Sequence, residues 1–312
     1  MDIFDLKGIH PMLIKEQQLA FNDPNWIYEL KLDGIRCISY LDCNNTDLRN
    51  KRDFCLISKF PELLNIHKQV KAKCILDGEL IVLKNGVPDF YELQRRTILS
   101  DKFKIQQAYM ALPASFVAYD IIYHIDREVV DMPLIERKKL LSNVVVESPK
   151  IAVSRHIEEF GIELYNMTVQ NNLEGVVGKR KDSRYQYDKR SNDWVKFKRV
   201  ADEELVIVGF IRKRPMNTLL LAKYNGDKLV YRGAVQFGVK LDVLFQHNCK
   251  IITYSPFTMK PDNKVDGETG PVTWIEPNLV CTVEYMPNTK NSLRQAVFKG
   301  IREDISPHDC QI

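Results

Sequence analysis

The sequence is short of several things that would otherwise define its class. No apolar run approaches the roughly 20 residues that a membrane-spanning helix needs, so no passage through a membrane is expected. The opening stretch, MDIFDLKGIH, carries acids and lacks the apolar centre of a signal peptide, which points to a cytoplasmic protein. Cysteine is sparse: there are seven, an odd number, with no Cys-x-x-Cys pair. Cys37, Cys55, Cys74 and Cys281 lie inside apolar or strand-like runs. That placement reads as reduced, buried thiols and argues against a disulfide frame or a zinc site. Internal repeats and low-complexity segments are also absent.

What is present is ordinary in amount and uneven in arrangement. The 312 residues are long for one domain and comfortable for two. With 45% apolar residues the chain can build a globular core. The net charge is +4, yet Lys179 to Arg199 alone holds nine Lys or Arg against three Asp, a balance of +6 that leaves −2 for the remainder. A local basic block in a near-neutral chain fits a polyanion partner or a solvated, lysine-rich loop.

The first two-thirds alternates strands and helices. Strand-like runs fall at 26–32, 35–41, 74–83, 116–123, 175–179 and 194–198. Helices are predicted in SKFPELLNIHKQV, with its early proline, in DFYELQRRTIL, where Asp89 and Glu92 suggest a capping box, in PLIERKKLL, and in IEEFGIELYNMTV. This mixture predicts an α+β domain. After Arg199 the texture changes to short strand-like runs: ELVIVGFIR, TLLLAKYN, KLVYRGAVQFG, LVCTVEYM and SLRQAVFKGI. NGD, DGETGP and PNTKN supply turn signals between some of them. Such a series predicts a small all-β barrel, with domains at 1–199 and 200–312.

The most informative stretch is WIYELKLDGIRCI, Trp26 to Ile38. Alternate side chains of a strand share a face, so Glu29, Lys31 and Asp33 line one side and Trp26, Tyr28, Leu30 and Leu32 the other. Asp33-Gly34 then turns the chain. An ordinary hairpin or a charged edge strand would look the same. The functional alternative is a nucleophilic lysine. Free lysine, with a pKa of ~10.4, is protonated at neutral pH, so a nucleophile needs desolvation or neighbouring cations. The pattern recurs. CILDGELIVL sets Asp77 and Glu79 on one face, NLEGVVGKR places Glu174 before a glycine, FVAYDIIY sets Tyr119 beside Asp120, and DWVKFKR puts Lys196 and Lys198 together. Burying so many charges is costly unless they pair or bind something. A phosphate-rich ligand with a metal ion would satisfy both signs.

In this order the series resembles the ATP-dependent DNA ligases, a family of covalent nucleotidyltransferases. KLDGIR is similar to motif I, LRN at Leu48 to motif Ia, LDGEL to motif III, FVAYDII to motif IIIa, EGVVGKR to motif IV, WVKFKR to motif V, and LRQAVFKGIRED to motif VI. TWIEPNLVCTVEYMPNT adds a similarity to the ligase domain of bacterial end-joining ligases, and the whole is of the compact kind that phages also encode.

The resemblance implies an α+β nucleotidyltransferase (adenylation) domain followed by an OB-fold barrel. It implies that Lys31 becomes adenylated, Glu29 accepts from the adenine amino group, Tyr119 stacks on the base, and Glu79 and Arg36 hold the ribose. Arg49 would contact phosphate, Glu174 a divalent metal, and Lys196 and Lys198 the α-phosphate. From the barrel, Lys299, Arg302 and Asp304 would orient pyrophosphate. ATP and Mg2+, with Mn2+ as a substitute, are the implied cofactors. Nicked duplex DNA is the implied substrate, end-joining or repair proteins the candidate partners, and a monomer in a bacterial or phage-infected cell the expected state. Three positions depart from the family pattern: Leu48 for a small polar residue, Tyr119 for phenylalanine, and Ile305 for the motif VI lysine. The rival functions are an RNA ligase, a GTP-dependent capping guanylyltransferase, and an inert nucleic-acid-binding homologue. The last would have lost motif lysines and acids that are present here.

Overall fold

Alternating apolar side chains give this chain pairs of sheet faces to bury. The computed structural model describes residues 2–17, 19–238, 240–247, 249–257, 270–287 and 292–312. The chain divides into two compact units, Met1–Lys198 and Arg199–Ile312.

In the first unit a five-stranded sheet runs, in spatial order, Leu13–Glu16, Arg190–Lys198, Gly175–Arg180, Asp23–Leu30 and His156–Glu159. A seven-stranded sheet runs Thr46–Asn50, Ile35–Leu41, Cys74–Lys84, Ala114–His124 and Arg127–Glu128, with Val87–Pro88 and Ile151–Val153 attached at its side. The two sheets face each other. Ile27 and Trp194 from the first meet Ile38, Tyr40, Ile75, Ile122 and Tyr123 from the second in one buried cluster. Behind the five-stranded sheet, Tyr28, Val176, Val195 and Phe197 pack under Leu164 and Tyr165 of helix Gly161–Gln170. Behind the seven-stranded sheet, Cys37, Leu48, Leu76 and Phe116 pack with Leu93 of helix Phe90–Ile98 and Leu141 of helix Leu134–Val144. Leu48, where the family more often has a small polar residue, is therefore a core side chain.

The second unit is the OB-fold barrel. Its strands run Lys228–Phe237, Asn217–Asn225, Ala201–Ile211, Val272–Met286 and Ile251–Ile252, with Arg294–Arg302 also paired to Val272–Met286. Leu205, Ile207, Leu219, Leu221, Val235, Leu279, Cys281 and Val283 form one cluster. The alternate residues Val206, Val208, Leu220, Ala222 and Val280 form a second with Phe257 and Cys310. Ile305 packs against that second cluster, so apolar burial accounts for the departure in motif VI. The NGD signal closes a two-residue hairpin, since Asn225 pairs with Lys228 and Gly226 takes φ +61°. The turns expected at 266–271 and 287–291 lie largely outside the described residues.

Several expectations need correcting. The helix predicted over 58–70 is two short 3-10 turns, Pro61–Leu63 and Ile66–Gln69. The fully buried Phe60, Leu63 and Ile66 recur every three residues, which a 3-10 turn stacks on one side and an α-helix does not. The helix predicted over 157–169 begins as strand His156–Glu159, which pairs with Asp23–Leu30, and turns helical only at Gly161. The strand around Leu279 starts earlier, at Val272, and carries Pro277 in a register shift where no ladder N–H is required. Helix Lys102–Ala111 has no strong sequence signal. Asp89 caps its helix through Glu92 N at 3.0 Å, but its own N–H bonds Val82 O and the Glu92 carboxylate turns to Arg95, so the box is half built. All seven cysteines are free thiols, and Cys55, expected to be buried, is exposed.

Candidate active site

The charged stripe of WIYELKLDGIRCI marks a change of sheet. Strand Asp23–Leu30 belongs to the five-stranded sheet and Ile35–Leu41 to the seven-stranded one. They do not pair with each other, so Asp33-Gly34 is not a hairpin turn, and the strand predicted over 26–32 stops at Leu30. Residues 31–34 form the link. Gly34 is there for close approach: a Cβ would come 2.2 Å from Leu80 O and 2.7 Å from Glu79 Cγ. Lys31 N donates to Gly175 O at 2.8 Å, which ties the link to the strand that follows Glu174. Gly175 takes φ +143°, and a Cβ on it would strike Phe197 O at 2.0 Å.

Register then sorts the candidate side chains. Glu29 lies opposite Val177, Lys179 opposite Trp194, and Lys196 opposite Val177. These residues share the face that carries Ile27 and Trp194 into the inter-sheet core. Where apolar packing ends, charge begins. Lys31 Nζ lies 2.6 Å from Glu174 Oε1, both well shielded from solvent. Lys196 and Lys198 both face Glu16, at 3.5 and 3.0 Å. Burial, then the charge of Lys198, holds the Lys196 ammonium below the usual lysine range, and Lys31 adds to this.

The seven-stranded sheet supplies the opposite wall. Arg36 and Glu79 are cross-strand partners. The Arg36 guanidinium is forked onto Asp77, with Nε–Oδ1 at 3.0 Å and Nη2–Oδ2 at 2.6 Å, and Asp77 also accepts from Tyr185 Oη at 2.7 Å. Burial pushes the Glu79 carboxyl up to about 8. Lys31 and Arg36 pull it down only in part, and Glu174 and Asp77 push it further up. Tyr119 is the extra residue of a β-bulge: Asp77 pairs with Asp120 and Gly78 with Ala118, leaving Tyr119 unmatched. Its ring lies 4.4 Å from Lys179 Nζ and edge-on to Trp194 at 6.4 Å.

Glu29 is 2% exposed and heavily held. Its Oε1 accepts from Lys138 Nζ at 2.6 Å, and its Oε2 from Lys179 Nζ at 3.0 Å and Ser154 Oγ at 3.1 Å. Burial opposes its ionisation, but the two ammonium groups outweigh burial and hold the carboxyl below its usual range.

The structure thus brings Lys31, Arg36, Glu79, Glu174, Lys196 and Lys198 together, with Glu29 and Tyr119 lining the same inter-sheet face. Arg49 is turned elsewhere, paired with Asp47 at 2.9 Å and Asp53 at 3.0 Å. Lys299, Arg302 and Asp304 belong to the barrel. Arg302 is forked onto Asp304 at 2.8 and 2.7 Å and reaches Glu204 at 3.3 Å, while Lys299 pairs with Glu284 at 2.9 Å.

A junction between two sheets, with a lysine at the crossover and cations and carboxylates around it, suits covalent transfer of a phosphate-bearing group. Residues 11–198 match the model of the ATP dependent DNA ligase domain, and residues 212–305 that of the ATP dependent DNA ligase C terminal region. The chain belongs to the ATP-dependent DNA ligases. It is 33% identical over 296 residues to the SPbeta prophage-derived DNA ligase-like protein LigB of Bacillus subtilis, covering 94% of this chain and 99% of that one. To the multifunctional non-homologous end joining protein LigD of Pseudomonas aeruginosa it is 32% identical over 295 residues, 89% of this chain and 34% of that protein. The ligase therefore spans about a third of that relative's length. Among solved structures it is similar to mycobacterial DNA ligase D complexed with ATP and MES, with 26% identity, 99% coverage of both chains and a TM-score of 0.57.

Sequence reasoning misses two members of this ligase's site. Ser154 and Lys138 lie outside the family motifs, and Lys138 sits in an amphipathic helix where a lysine is unremarkable. Lys179 belongs to the basic block by sequence, but at 1% exposure it is buried on Glu29 between the sheets. Among the described residues no helix is long and apolar enough to cross a membrane.

Proposed function

We propose that this ligase seals 3′-hydroxyl/5′-phosphate nicks in duplex DNA, using ATP and a lysine-AMP intermediate on Lys31. The observation that carries the reading is the position of Lys31, on the link between the sheets with Glu174 at 2.6 Å. In the first step Lys31 Nζ attacks the α-phosphorus of ATP. A P–N bond forms, and the bond to the pyrophosphate oxygen breaks. AMP then passes to the 5′-phosphate of the nick, the 3′-hydroxyl displaces it, and the strand is sealed. Such transfers depend on position and charge neutralisation.

The proposed roles follow from the two walls. Lys196 and Lys198 neutralise the α-phosphate, exchanging Glu16 for it. Arg36, fixed by Asp77, and Glu79 hold the ribose. Tyr119 stacks on the base and Glu29 accepts from its amino group. Arg49 contacts a phosphate, and Lys299, Arg302 and Asp304 act on pyrophosphate during lysine adenylation. Glu174 would hold Mg2+. Mg2+ keeps waters and phosphate oxygens in its shell and needs only one or two carboxylates from the protein. Bound there, Mg2+ would neutralise and orient the triphosphate.

The similarity to the prophage-derived LigB supports a nick-sealing enzyme of bacterial or phage origin. The similarity to LigD supports end joining with partner proteins as a second setting for the same chemistry. Incubation with labelled ATP, GTP or NAD and Mg2+ tests the core of the proposal. Covalent AMP on Lys31 from ATP alone, followed by sealing of a nicked duplex, is the expected result. Label from NAD, label on another lysine, or a labelled protein that cannot seal a nick would refute it.

A further inference from the structure

Helix Leu134–Val144 reaches into the junction between the sheets through two adjacent side chains. Arg137 forks onto the buried Asp120, both bonds at 2.8 Å. Lys138, itself 3% exposed, uses all three of its N–H donors. It donates to Glu29 Oε1 at 2.6 Å, to the Tyr119 carbonyl at 3.2 Å and to the Ser154 carbonyl at 3.2 Å. One ammonium thereby ties together the carboxylate proposed to read the base, the backbone of the residue proposed to stack on it, and the segment whose hydroxyl holds the other Glu29 oxygen.

We propose that Lys138 is a positioning residue that fixes Glu29 as an acceptor-only reader of the adenine amino group, and so sets the preference for ATP over GTP. The inference rests on the reading of Glu29 given above. A carboxylate offers about four acceptor sites. Lys138, Lys179 and Ser154 occupy three, which leaves one of fixed direction. An ionised Glu29 can accept from the 6-amino group of adenine but has no proton for the 6-oxo group of guanine. A protonated or swung Glu29 would lose that distinction. The ammonium of Lys138 opposes both failures, because neutralising Glu29 would strand a buried cation. Lys179 cannot serve alone: it is shared with the rings of Tyr119 and Trp194, at 4.4 and 4.2 Å.

The test measures the rate of covalent labelling at limiting ATP and at limiting GTP for each protein, and compares the ratio of the two. That ratio does not depend on how much of a preparation is folded. Wild type is expected to favour ATP strongly. Lys138→Met is expected to reduce the ATP/GTP ratio by about tenfold or more, the scale of removing a charge-assisted hydrogen bond, mainly through a higher ATP KM. Lys138→Arg should restore much of the ratio, and Ser154→Ala should lower it in the same direction but less. If Lys138→Met slows both nucleotides equally, or Lys138→Met is inert and Ser154→Ala leaves the ratio intact, the positioning role is overturned. If wild type shows no preference, or Glu29→Ala keeps it, the reading of Glu29 fails and this inference falls with it. If Glu29→Ala abolishes the preference while Lys138→Met preserves it, only the role of Lys138 is overturned.

Discussion

Lys31 and Glu174 restrain one another across 2.6 Å, so replacing the lysine removes both the proposed nucleophile and a partner of the carboxylate. Lys31→Ala is expected to abolish self-adenylation, and so is Lys31→Arg, whose guanidinium stays protonated. Labelling with ATP followed by peptide mapping checks both. Tyr119 is proposed to contribute a ring face, so Tyr119→Phe should be nearly silent in ATP titrations, whereas Tyr119→Ala should raise the KM. Severe loss in the phenylalanine variant would mean that the hydroxyl matters instead. Glu79 gives a pH dependence. Its carboxyl is raised to about 8 in the fold against an ordinary value of 4.5, so the folded state binds this proton more tightly than the unfolded chain. That stabilisation is complete below 4.5 and is lost as pH rises through about 8. Without ATP or metal, Glu79→Gln should gain melting temperature relative to wild type between about pH 5 and about pH 9. A constant difference across that window would contradict the assignment.

Strands and their links decide how much of the site is legible in the sequence. Alternation places Glu29, Lys196 and Lys198 on the correct faces, because a two-residue period survives any packing. It cannot show that Tyr119 is an extra residue, since a bulge leaves no mark in composition. Nor can it separate Asp33-Gly34 as a hairpin from Asp33-Gly34 as a crossover, because that depends on which strands pair. The 3-10 turns after Lys59 are hidden for a similar reason: periods of three and 3.6 barely differ over two turns. Lys138 is illegible because its partners, Glu29, Tyr119 and Ser154, are remote in sequence. Gly34 allows a test at this scale. Gly34→Ala, with its Cβ driven into Leu80 O, should destabilise the unit by about 1–3 kcal/mol or more. Thermal melting of the variant measures this, and an unchanged midpoint would show that the link can yield.

For the whole molecule, charge must be counted after folding. Of the basic block, Lys179 is buried on Glu29, Arg180 pairs with Asp182 and Asp193, and Lys181 pairs with Glu158. Lys189 and Arg190 are exposed and better placed to meet DNA. Reversing both should lower the salt slope of nick binding by about 0.9 for each phosphate that is no longer neutralised. A slope that does not change would assign DNA binding to other residues. Arg302 is half-buried and pairs only with barrel residues among those described, so Arg302→Ala should cost little stability. It is expected to cut lysine adenylation by about 100-fold while leaving the sealing of a pre-adenylated nick nearly intact. Equal loss of both reactions would separate motif VI from the first step. The link from Leu30 to Ile35 has a further consequence, for how this chain can change. Surface loops usually absorb insertions at low cost, and the hairpin at Gly226 and Asp227 should do so. The link has no such slack. One residue added between Leu30 and Lys31 would leave both sheets paired and yet shift the lysine out of the register that bonds its N–H to Gly175 O and sets its Nζ against Glu174, so an insertion there should be tolerated less than one at Gly226 and Asp227.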